Sequence, residues 1–226
     1  MRPMPASGGS VRAYRPGMLY TLLKSAAWLV LRICFRLRVR GAENIPDGGG
    51  VLIATNHQSF LDPIIVAASS RRPVSFMARD TLFRNPVFGR LIRRLGAFPV
   101  HRDSADRGAV REATSRLQSG AALLVFPEGR RTADGTLGEL HIGPALLARR
   151  AGVPIVPGAI GGAFEAWPRG RRLFRFRPIS IAYGRPFACG EGRERETHDA
   201  LRRKLQNELE ALMSAQHRAA GPGRAG

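Results

Sequence analysis

Short apolar runs alternate with segments of helical periodicity from residue 36 onward, and this alternation constrains the fold more than any other feature of the chain. The predicted strands are 36–40, 51–55, 74–78, 97–100, 121–126, 155–157 and 179–183. The predicted helices are 63–70, 85–95, 105–119, 143–151 and 196–216. Strands that alternate with helices are typical of a parallel sheet covered on both faces. The sequence therefore predicts an α/β domain at 36–216, with a largely parallel central sheet flanked by helices and an edge strand at 36–40.

The segments on either side of this domain have a different composition. Residues 1–17 are rich in Gly, Pro, Ser and Arg, which predicts a flexible N-terminal segment. Residues 217–226 are mostly small and include glycine, which predicts a disordered tail. There is no convincing secretory signal. Cys34 and Cys189 are far apart, and they indicate cytosolic thiols rather than a disulfide framework.

Residues 18–35 predict an amphipathic, membrane-associating helical segment. One broad face of the helix is apolar, with Leu22, Ala26, Leu29, Val30, Ile33 and Leu37. The other face is basic, with Lys24, Arg32 and Arg36. This is the pattern of a helix that lies among lipid headgroups. Two alternatives stay open: a helix packed on the domain with its basic edge in water, and a membrane span, for which the uncharged run falls short of the roughly 20 residues needed.

The charge of the chain limits its partners. Its 36 basic residues outnumber 17 acidic residues, for a net charge of +19, and only Lys24 and Lys204 are lysines. Such an excess attracts polyanions, whether nucleic acid, an anionic membrane surface or phosphorylated substrates. No zinc-ligand spacing, Walker loop or aromatic RNA-binding segment accompanies the charge, so no specific nucleic acid is expected. A basic nucleic-acid-binding protein nevertheless stays an alternative.

A histidine and a carboxylate lie five residues apart where the predicted strand 51–55 ends, in the run Asn56-His57-Gln58-Ser59-Phe60-Leu61-Asp62. Ligands of α/β sheets usually bind at strand ends. A histidine can take and return a proton near neutral pH, and a carboxylate on its second nitrogen fixes the tautomer. Since no nucleophile elbow accompanies the pair, the pattern favours a direct transfer in which His57 deprotonates a substrate hydroxyl. Taken alone, the pattern fits a structural hydrogen-bonding histidine at least as well.

Three further blocks follow later strands. Phe126-Pro127-Glu128-Gly129-Arg130-Arg131-Thr132 predicts a tight turn that presents a carboxylate, backbone amides and two guanidinium groups. Gly96-Ala97-Phe98-Pro99-Val100-His101-Arg102 ends a strand with an arginine that can bind phosphate. Val153-Pro154-Ile155-Val156-Pro157 is an apolar strand bracketed by prolines. Each block also has an ordinary interpretation, as a surface turn, a solvated arginine or a structural strand.

Taken together, in this order and at these spacings, the four blocks resemble those of the glycerolipid acyltransferases, specifically the 1-acylglycerol-3-phosphate acyltransferases. The first and third blocks resemble the family's Asn-His-x-Ser-x-x-Asp and Phe-Pro-Glu-Gly-Thr-Arg-Ser boxes. The resemblance covers about residues 36 to 190. It implies that His57 is the general base and that Asp62 orients it. The residues to which it gives a role in binding substrate are Arg102, Glu128, Gly129, Arg130 and Arg131.

Two departures from the family pattern bear on the acceptor. Arg130 stands where the family has threonine, and Leu140-His141-Ile142-Gly143 stands where many members have Phe-Lys-x-Gly. One positive charge is thus lost and another gained nearby. The acceptor implied is a lysophospholipid, with 1-acylglycerol-3-phosphate as the default and a lyso-ornithine lipid or another lysophospholipid as the alternative.

The resemblance also implies the partners and the location of the protein. The acyl donor is acyl-CoA or acyl-carrier protein, and no cofactor or metal is expected. The expected location is the cytoplasmic face of the cell membrane, where the segment 18–35 holds the protein in a peripheral or monotopic position.

Overall fold

Seven strands form one sheet in the structure, a computed structural model that describes residues 16–101, 106–189 and 198–220. The strands are β1 (Arg38–Arg40), β2 (Val51–Thr55), β3 (Val74–Arg79), β4 (Ala97–Val100), β5 (Ala122–Val125), β6 (Ile155–Gly161) and β7 (Ser180–Tyr183). Their order across the sheet is β1-β7-β6-β2-β5-β3-β4. All neighbouring pairs are parallel except β6 and β7. The predicted α/β fold with a largely parallel sheet is confirmed, and β1 lies at one edge.

Helices cover both faces of this sheet. They are α1 (Met18–Cys34), α2 (Asp62–Ser69), α3 (Pro86–Arg94), α4 (Arg107–Gln118), α5 (Gly143–Ala151), α6 (Ala163–Ala166) and α7 (His198–Ala220). Local sequence sets several of their ends. The Asn85 side chain accepts hydrogen bonds from the backbone N–H groups of Val87 and Phe88 where α3 begins. Gly152 ends α5 in the left-handed conformation, with a φ of 68°.

The central strand β2 is buried on both faces. Val51 and Ile53 pack in an apolar cluster with α2 and the end of α1, whereas Leu52 and Ala54 pack in a second cluster with α4, α5 and α7. A parallel strand covered on both sides has no need for polar alternation, which explains its continuous apolar run. Because β2 pairs with β5 and β6, its carboxyl end lies in the middle of the sheet edge rather than at a corner.

The fold departs from the predicted pattern in four places. Strand β6 continues past Pro157 to Gly161, because residues on either side of the proline still pair with β2 and β7. The antiparallel pairing of β7 and the short helix α6 were not predicted. Helix α7 ends at Ala220, so 217–220 are helical rather than part of a disordered tail. Residues 1–15 and 221–226, which hold most of the predicted flexible segment and tail, lie outside the described residues.

Helix α1 packs on the domain through the side that carries Tyr20 and Leu31, both of which are buried. Lys24 lies on this side, half-buried, and its Nζ donates a hydrogen bond to the carbonyl of Ser70. Burial lowers the pKa of Lys24. Lys24 therefore lies away from the exposed apolar residues of α1, on the side that packs on the domain, because its ammonium group satisfies a carbonyl at the end of α2.

The outward side of α1 is largely apolar. Its exposed large apolar side chains are Met18, Leu19, Leu22, Leu23, Trp28, Leu29, Val30 and Ile33. The predicted apolar face is thus exposed as far as Ile33, while Leu37, beyond the helix, is buried. Among the described residues, no helix has the length and apolar character needed to cross a membrane.

Candidate active site

The His57 loop joins the end of β2 to the start of α2, and a side chain holds it to the sheet. Asn56 donates from Nδ2 to the carbonyl of Ile160 at 2.9 Å, and its Oδ1 accepts the backbone N–H of Ile160 at 2.7 Å. These two bonds continue the pairing of β2 with β6 by one step after the backbone has left the sheet. The next residue, His57, can therefore turn away from the strand without leaving β6 unpaired at this point.

His57 and Asp62 form a buried hydrogen-bonded pair. The distance from His57 Nδ1 to Asp62 Oδ2 is 2.7 Å, and the Asp62 side chain is fully buried as the first residue of α2. The same oxygen accepts the backbone N–H groups of Gln58 and Ser59, at 2.6 and 2.7 Å. Burial raises the pKa of Asp62, and the contacts with His57, Ser59 and Gln58 oppose that rise. With a proton on Nδ1, His57 presents Nε2 as the basic nitrogen.

The loop after β5 fixes the backbone of His57. Glu128 Oε1 accepts the backbone N–H of His57 at 2.7 Å, and Glu128 Oε2 accepts the N–H of Gly138 at 2.9 Å. The N–H of Thr132 in turn donates to the His57 carbonyl at 2.8 Å. Burial raises the pKa of Glu128, while the bonds from Gly138 and His57 lower it. Both carboxylate oxygens thus contact backbone donors of the protein itself.

An aromatic ring supports the imidazole. Phe126, the residue after β5, stacks on His57 with 3.8 Å between ring centroids and 11° between ring planes. Such a stack restricts rotation of the imidazole and covers one of its faces. The His57 side chain keeps 11% of its surface exposed. A substrate can therefore reach the ring, while its orientation is fixed by Asp62 and Phe126.

The two arginines of this loop differ in their exposure. The guanidinium carbon of Arg131 lies 3.4 Å from the centre of the Phe60 ring, beside the His57 loop. Arg130 is exposed.

Gly129 has a φ of 65°, and a Cβ there would lie 3.2 Å from the His141 ring, so glycine is needed both for the turn and for the close approach of His141.

The structure thus brings together three of the residues predicted for the site, His57, Asp62 and Glu128, through direct hydrogen bonds. The substrate-binding roles expected of Glu128, Gly129, Arg130 and Arg131 stay predictions. Arg102 lies outside the described residues, so its expected role as a phosphate ligand also stays a prediction. His101, just before it, contacts Asp80, with 3.2 Å between Nδ1 and Oδ2.

Several contacts of the site were not predicted from the sequence. The stacking of Phe126, the anchoring bonds of Asn56 and the contact of Gly138 with Glu128 are all absent from the sequence interpretation. Asn56 and Phe126 each stand at the end of an apolar strand and inside a recognised block, and that placement was the available signal. Gly138 carries no such signal, because it lies ten residues from its partner in an irregular loop.

The fold and the His–Asp pair together define an acyltransferase. A family model described as Acyltransferase matches residues 36–161, which is more than half of the chain, and the chain belongs to that family. The match covers all of the site residues and the strands that position them. It decides between the classes left open by the charge: the protein is an O-acyltransferase rather than a basic nucleic-acid-binding protein.

Similar proteins narrow this class. The chain is 26% identical to the 1-acyl-sn-glycerol-3-phosphate acyltransferase of Bacillus subtilis over 86% of this chain and 100% of that protein. It is 28% identical to the enzyme of the same name from Streptococcus pneumoniae, over 86% and 73%. Among solved structures it is similar to the 1-acyl-sn-glycerophosphate acyltransferase PlsC of Thermotoga maritima, with a TM-score of 0.72, 26% identity, and coverage of 86% and 79%.

Proposed function

We propose that this protein transfers a fatty acyl group from acyl-CoA or acyl-carrier protein to the free hydroxyl of 1-acylglycerol-3-phosphate, giving phosphatidic acid. The observation that carries the proposal is the buried pair of His57 and Asp62, at the carboxyl end of the central strand, in a chain of the acyltransferase family. The names of the relatives from Bacillus subtilis and Streptococcus pneumoniae support this acceptor. They give no support to a lyso-ornithine lipid.

The proposed reaction begins when His57 Nε2 removes the proton of the acceptor hydroxyl. The oxygen attacks the carbonyl carbon of the thioester, and the tetrahedral intermediate collapses as the carbon–sulfur bond breaks. The imidazolium then returns the proton to the leaving thiolate. Asp62 accepts the Nδ1–H bond throughout and stabilises the imidazolium. General acid–base assistance of this kind contributes roughly 10²–10⁴-fold to the rate.

Glu128 acts in this proposal as a positioning residue. Its carboxylate holds the backbone N–H of His57 and that of Gly138, so it fixes the base relative to the loop after β5. The phosphate of the acceptor is assigned to arginines, because guanidinium groups bind phosphate in a bidentate manner. Those assigned are Arg102, Arg130 and Arg131, and Gly129 forms the turn that presents the last two.

The test is a direct one. The purified protein is given 1-acylglycerol-3-phosphate, lysophosphatidylcholine or a lyso-ornithine lipid, each with acyl-CoA and with acyl-carrier protein, and products are identified by mass. We expect phosphatidic acid to form at least about tenfold faster than either other product, since one lost charged hydrogen bond costs roughly 1.5–3 kcal/mol. Preferential acylation of the lyso-ornithine lipid, which has no phosphate, would overturn the assignment of the acceptor.

The membrane location is part of the same proposal. We place the protein on the cytoplasmic face of an anionic membrane, held in a peripheral or monotopic position by the outward side of α1. Deletion of 1–35 is a poor test, because Tyr20, Leu31 and Phe35 are buried and their loss would expose the core. Replacing Leu22, Leu29 and Ile33 with serine preserves those contacts. We expect this variant to move from the membrane to the soluble fraction. Unchanged sedimentation with membranes would contradict the proposed role of α1 in membrane attachment.

A further inference from the structure

A second exposed apolar surface lies in the arginine–aromatic segment, which we define as residues 167–178 between α6 and β7. Leu173 is 79% exposed and Phe176 is 65% exposed, and Phe174 between them is also exposed. The segment contains five arginines and no acidic residue: Arg169, Arg171, Arg172, Arg175 and Arg177. Soluble surfaces usually carry mixed charges, and exposed apolar groups on them are scattered singly.

The backbone of the segment is held in place by hydrogen bonds. Trp167 donates from its indole nitrogen to the carbonyl of Arg171 at 3.0 Å, and the N–H of Arg175 donates to the carbonyl of Ala166 at 2.7 Å. The backbone of the segment is therefore held at two points, one within the segment and one to the end of α6.

Ring contacts link this segment to α1 and to the active site. Phe35, the residue after α1, lies 5.9 Å from Phe174 and 5.6 Å from Phe176, measured between ring centroids. Phe174 contacts Trp167 at 6.0 Å, and Trp167 contacts Phe60 at 5.3 Å. Phe60 lies three residues after His57 and carries the guanidinium of Arg131 on its ring. The end of α1, the segment and the edge of the active site are thus connected through ring contacts.

We propose that the arginine–aromatic segment is a second membrane-docking element, which binds an anionic phospholipid surface beside α1. Its alternation of arginine with leucine and phenylalanine matches the two layers of such a surface. Guanidinium groups contact the phosphates, and the apolar side chains enter the boundary below them. This inference rests on the proposed function in assuming that the acceptor is presented in a membrane.

The connection to Phe60 gives this docking a consequence for the reaction. A protein held by α1 alone can rotate about that helix, and its active site can face away from the lipid. Contact of the segment with the same surface adds a second point of attachment. That second contact turns Phe60 and Arg131 towards the headgroup layer, where the hydroxyl of a lysolipid lies.

Charge neutralisation provides the first test. In the full-length protein, Arg171→Gln, Arg172→Gln and Arg175→Gln are combined, and binding is measured by sedimentation with phosphatidylcholine vesicles with or without phosphatidylglycerol. Each arginine near an anionic surface contributes about fivefold to binding, so we expect an approximately hundredfold loss on the anionic vesicles. The loss should disappear at high salt, which screens the contact in the wild type.

The matched control removes the same charge elsewhere. Arg107, Arg111 and Arg150 are exposed and line a depression of about 300 Å³ between α4 and α5. The triple replacement of these residues with glutamine should change binding by less than about threefold, because general attraction by net charge is screened within a Debye length of about 8 Å. An equal loss in both triple variants would overturn the proposal, and so would wild-type binding by the segment variant.

A fluorescent reporter tests direct contact without relying on a loss of binding. We expect Leu173→Trp to add a blue-shifted emission component when anionic vesicles are present, relative to the unsubstituted protein. Val110→Trp, at an exposed position on α4, should add none. An unshifted signal at position 173 on vesicles that carry the protein would overturn the proposal.

Activity separates this inference from the proposed function. Transfer to a short-chain, water-soluble lysophosphatidic acid without vesicles should stay within about twofold in the segment variant, while transfer to acceptor in anionic vesicles should fall with binding. Loss of both activities would place the arginines in substrate binding and overturn the docking role. If the wild type acylates no lysolipid, the proposed function fails, whereas the vesicle measurements still decide the docking.

Discussion

The active site buries polar side chains, whereas α1 and the arginine–aromatic segment expose apolar ones. In the site, seven polar side chains from two loops and the start of α2 are buried: Asn56, His57, Gln58, Ser59, Asp62, Glu128 and Thr132. On α1 and the arginine–aromatic segment, by contrast, large apolar side chains such as Ile33 and Phe176 are exposed. Folded proteins usually show the reverse in both places. Each region therefore departs from the ordinary pattern in the direction that its proposed task requires.

The two departures have different energetic consequences. A buried polar group costs about 1–3 kcal/mol when it lacks a partner. Backbone N–H donors remove this cost for Asp62 Oδ2 and for both oxygens of Glu128, whereas Asp62 Oδ1 and Gln58 Oε1 are buried without a hydrogen-bond partner among the described residues. An exposed apolar group costs little in the isolated protein, because it is also exposed in the unfolded chain. Changes in the site should therefore alter chemistry and stability, whereas changes on the exposed side should alter binding to lipid.

Removal of the proposed base His57 should give the largest difference between the effect on catalysis and the effect on lipid binding. His57→Ala is expected to lower kcat by about 10²–10⁴-fold, since the imidazole that takes the proton of the substrate hydroxyl is then missing. Vesicle binding should be unchanged. The matched control is His217→Ala, at an exposed position on α7, which should keep full activity. Transfer by a folded His57→Ala protein at the wild-type rate would rule out the proposed mechanism.

Glu128→Gln distinguishes positioning of His57 from binding of the acceptor. A glutamine accepts one backbone N–H but directs its own NH₂ group at the second. Displacement of the base by such a change costs about 10²-fold in kcat, and KM should change little. The exposed Glu139, replaced in the same way, should behave as the wild type. A raised KM with unchanged kcat would instead make Glu128 a ligand of the acceptor.

The stack of Phe126 on His57 should have a smaller effect. Phe126→Leu keeps an apolar side chain but removes the flat face that restricts the imidazole. An aromatic pair contributes about 0.5–1.5 kcal/mol, so kcat should fall roughly twofold to tenfold, with vesicle binding unaffected. Phe187, half-buried and in contact with Lys204, provides a control replacement by leucine. An equal loss of kcat in the control would show that the effect is not specific to the stack.

The pH dependence of stability should show the smallest effect. Burial raises the pKa of Asp62 in the folded protein above its ordinary value of about 3.9. The folded state therefore binds more protons in the window above that value, and the free energy of unfolding should fall there as pH rises. Asp62→Asn lacks this titration. We expect its stability relative to the wild type to increase with pH in urea unfolding at several pH values; a decrease would mean that the pKa is lowered.

Hydropathy patterns were sufficient to predict the seven strands and most of the helices. Alternation of elements implies parallel pairing, and strand ends imply the location of a site, so His57 and Asp62 could be placed together. The patterns do not specify partners. The antiparallel pairing of β7 depends on the turn through α6, and Lys24 lies against the domain because a carbonyl of α2 is available there.

The same limit applies inside the site. The sequence indicated that Glu128 is presented by a turn, but not that both of its oxygens meet backbone donors, one of them 71 residues away in the chain. Such contacts depend on how two loops meet above the sheet. A sequence motif can therefore identify the residues of a site. The contacts among those residues depend on the path of the backbone between the motifs.

The two hydrogen bonds between Asn56 and Ile160 make the backbone amide of Ile160 a reporter of motion in the His57 loop, although Ile160 takes no part in the proposed reaction. The amide proton of Ile160 points to the Asn56 side chain, so its exchange with solvent requires that the loop carrying His57 move away from β6. In a labelled sample, the exchange rate of this one amide should measure how often the His57 loop opens. It should slow when an acceptor analogue occupies the site, which gives a readout of occupancy that needs no turnover.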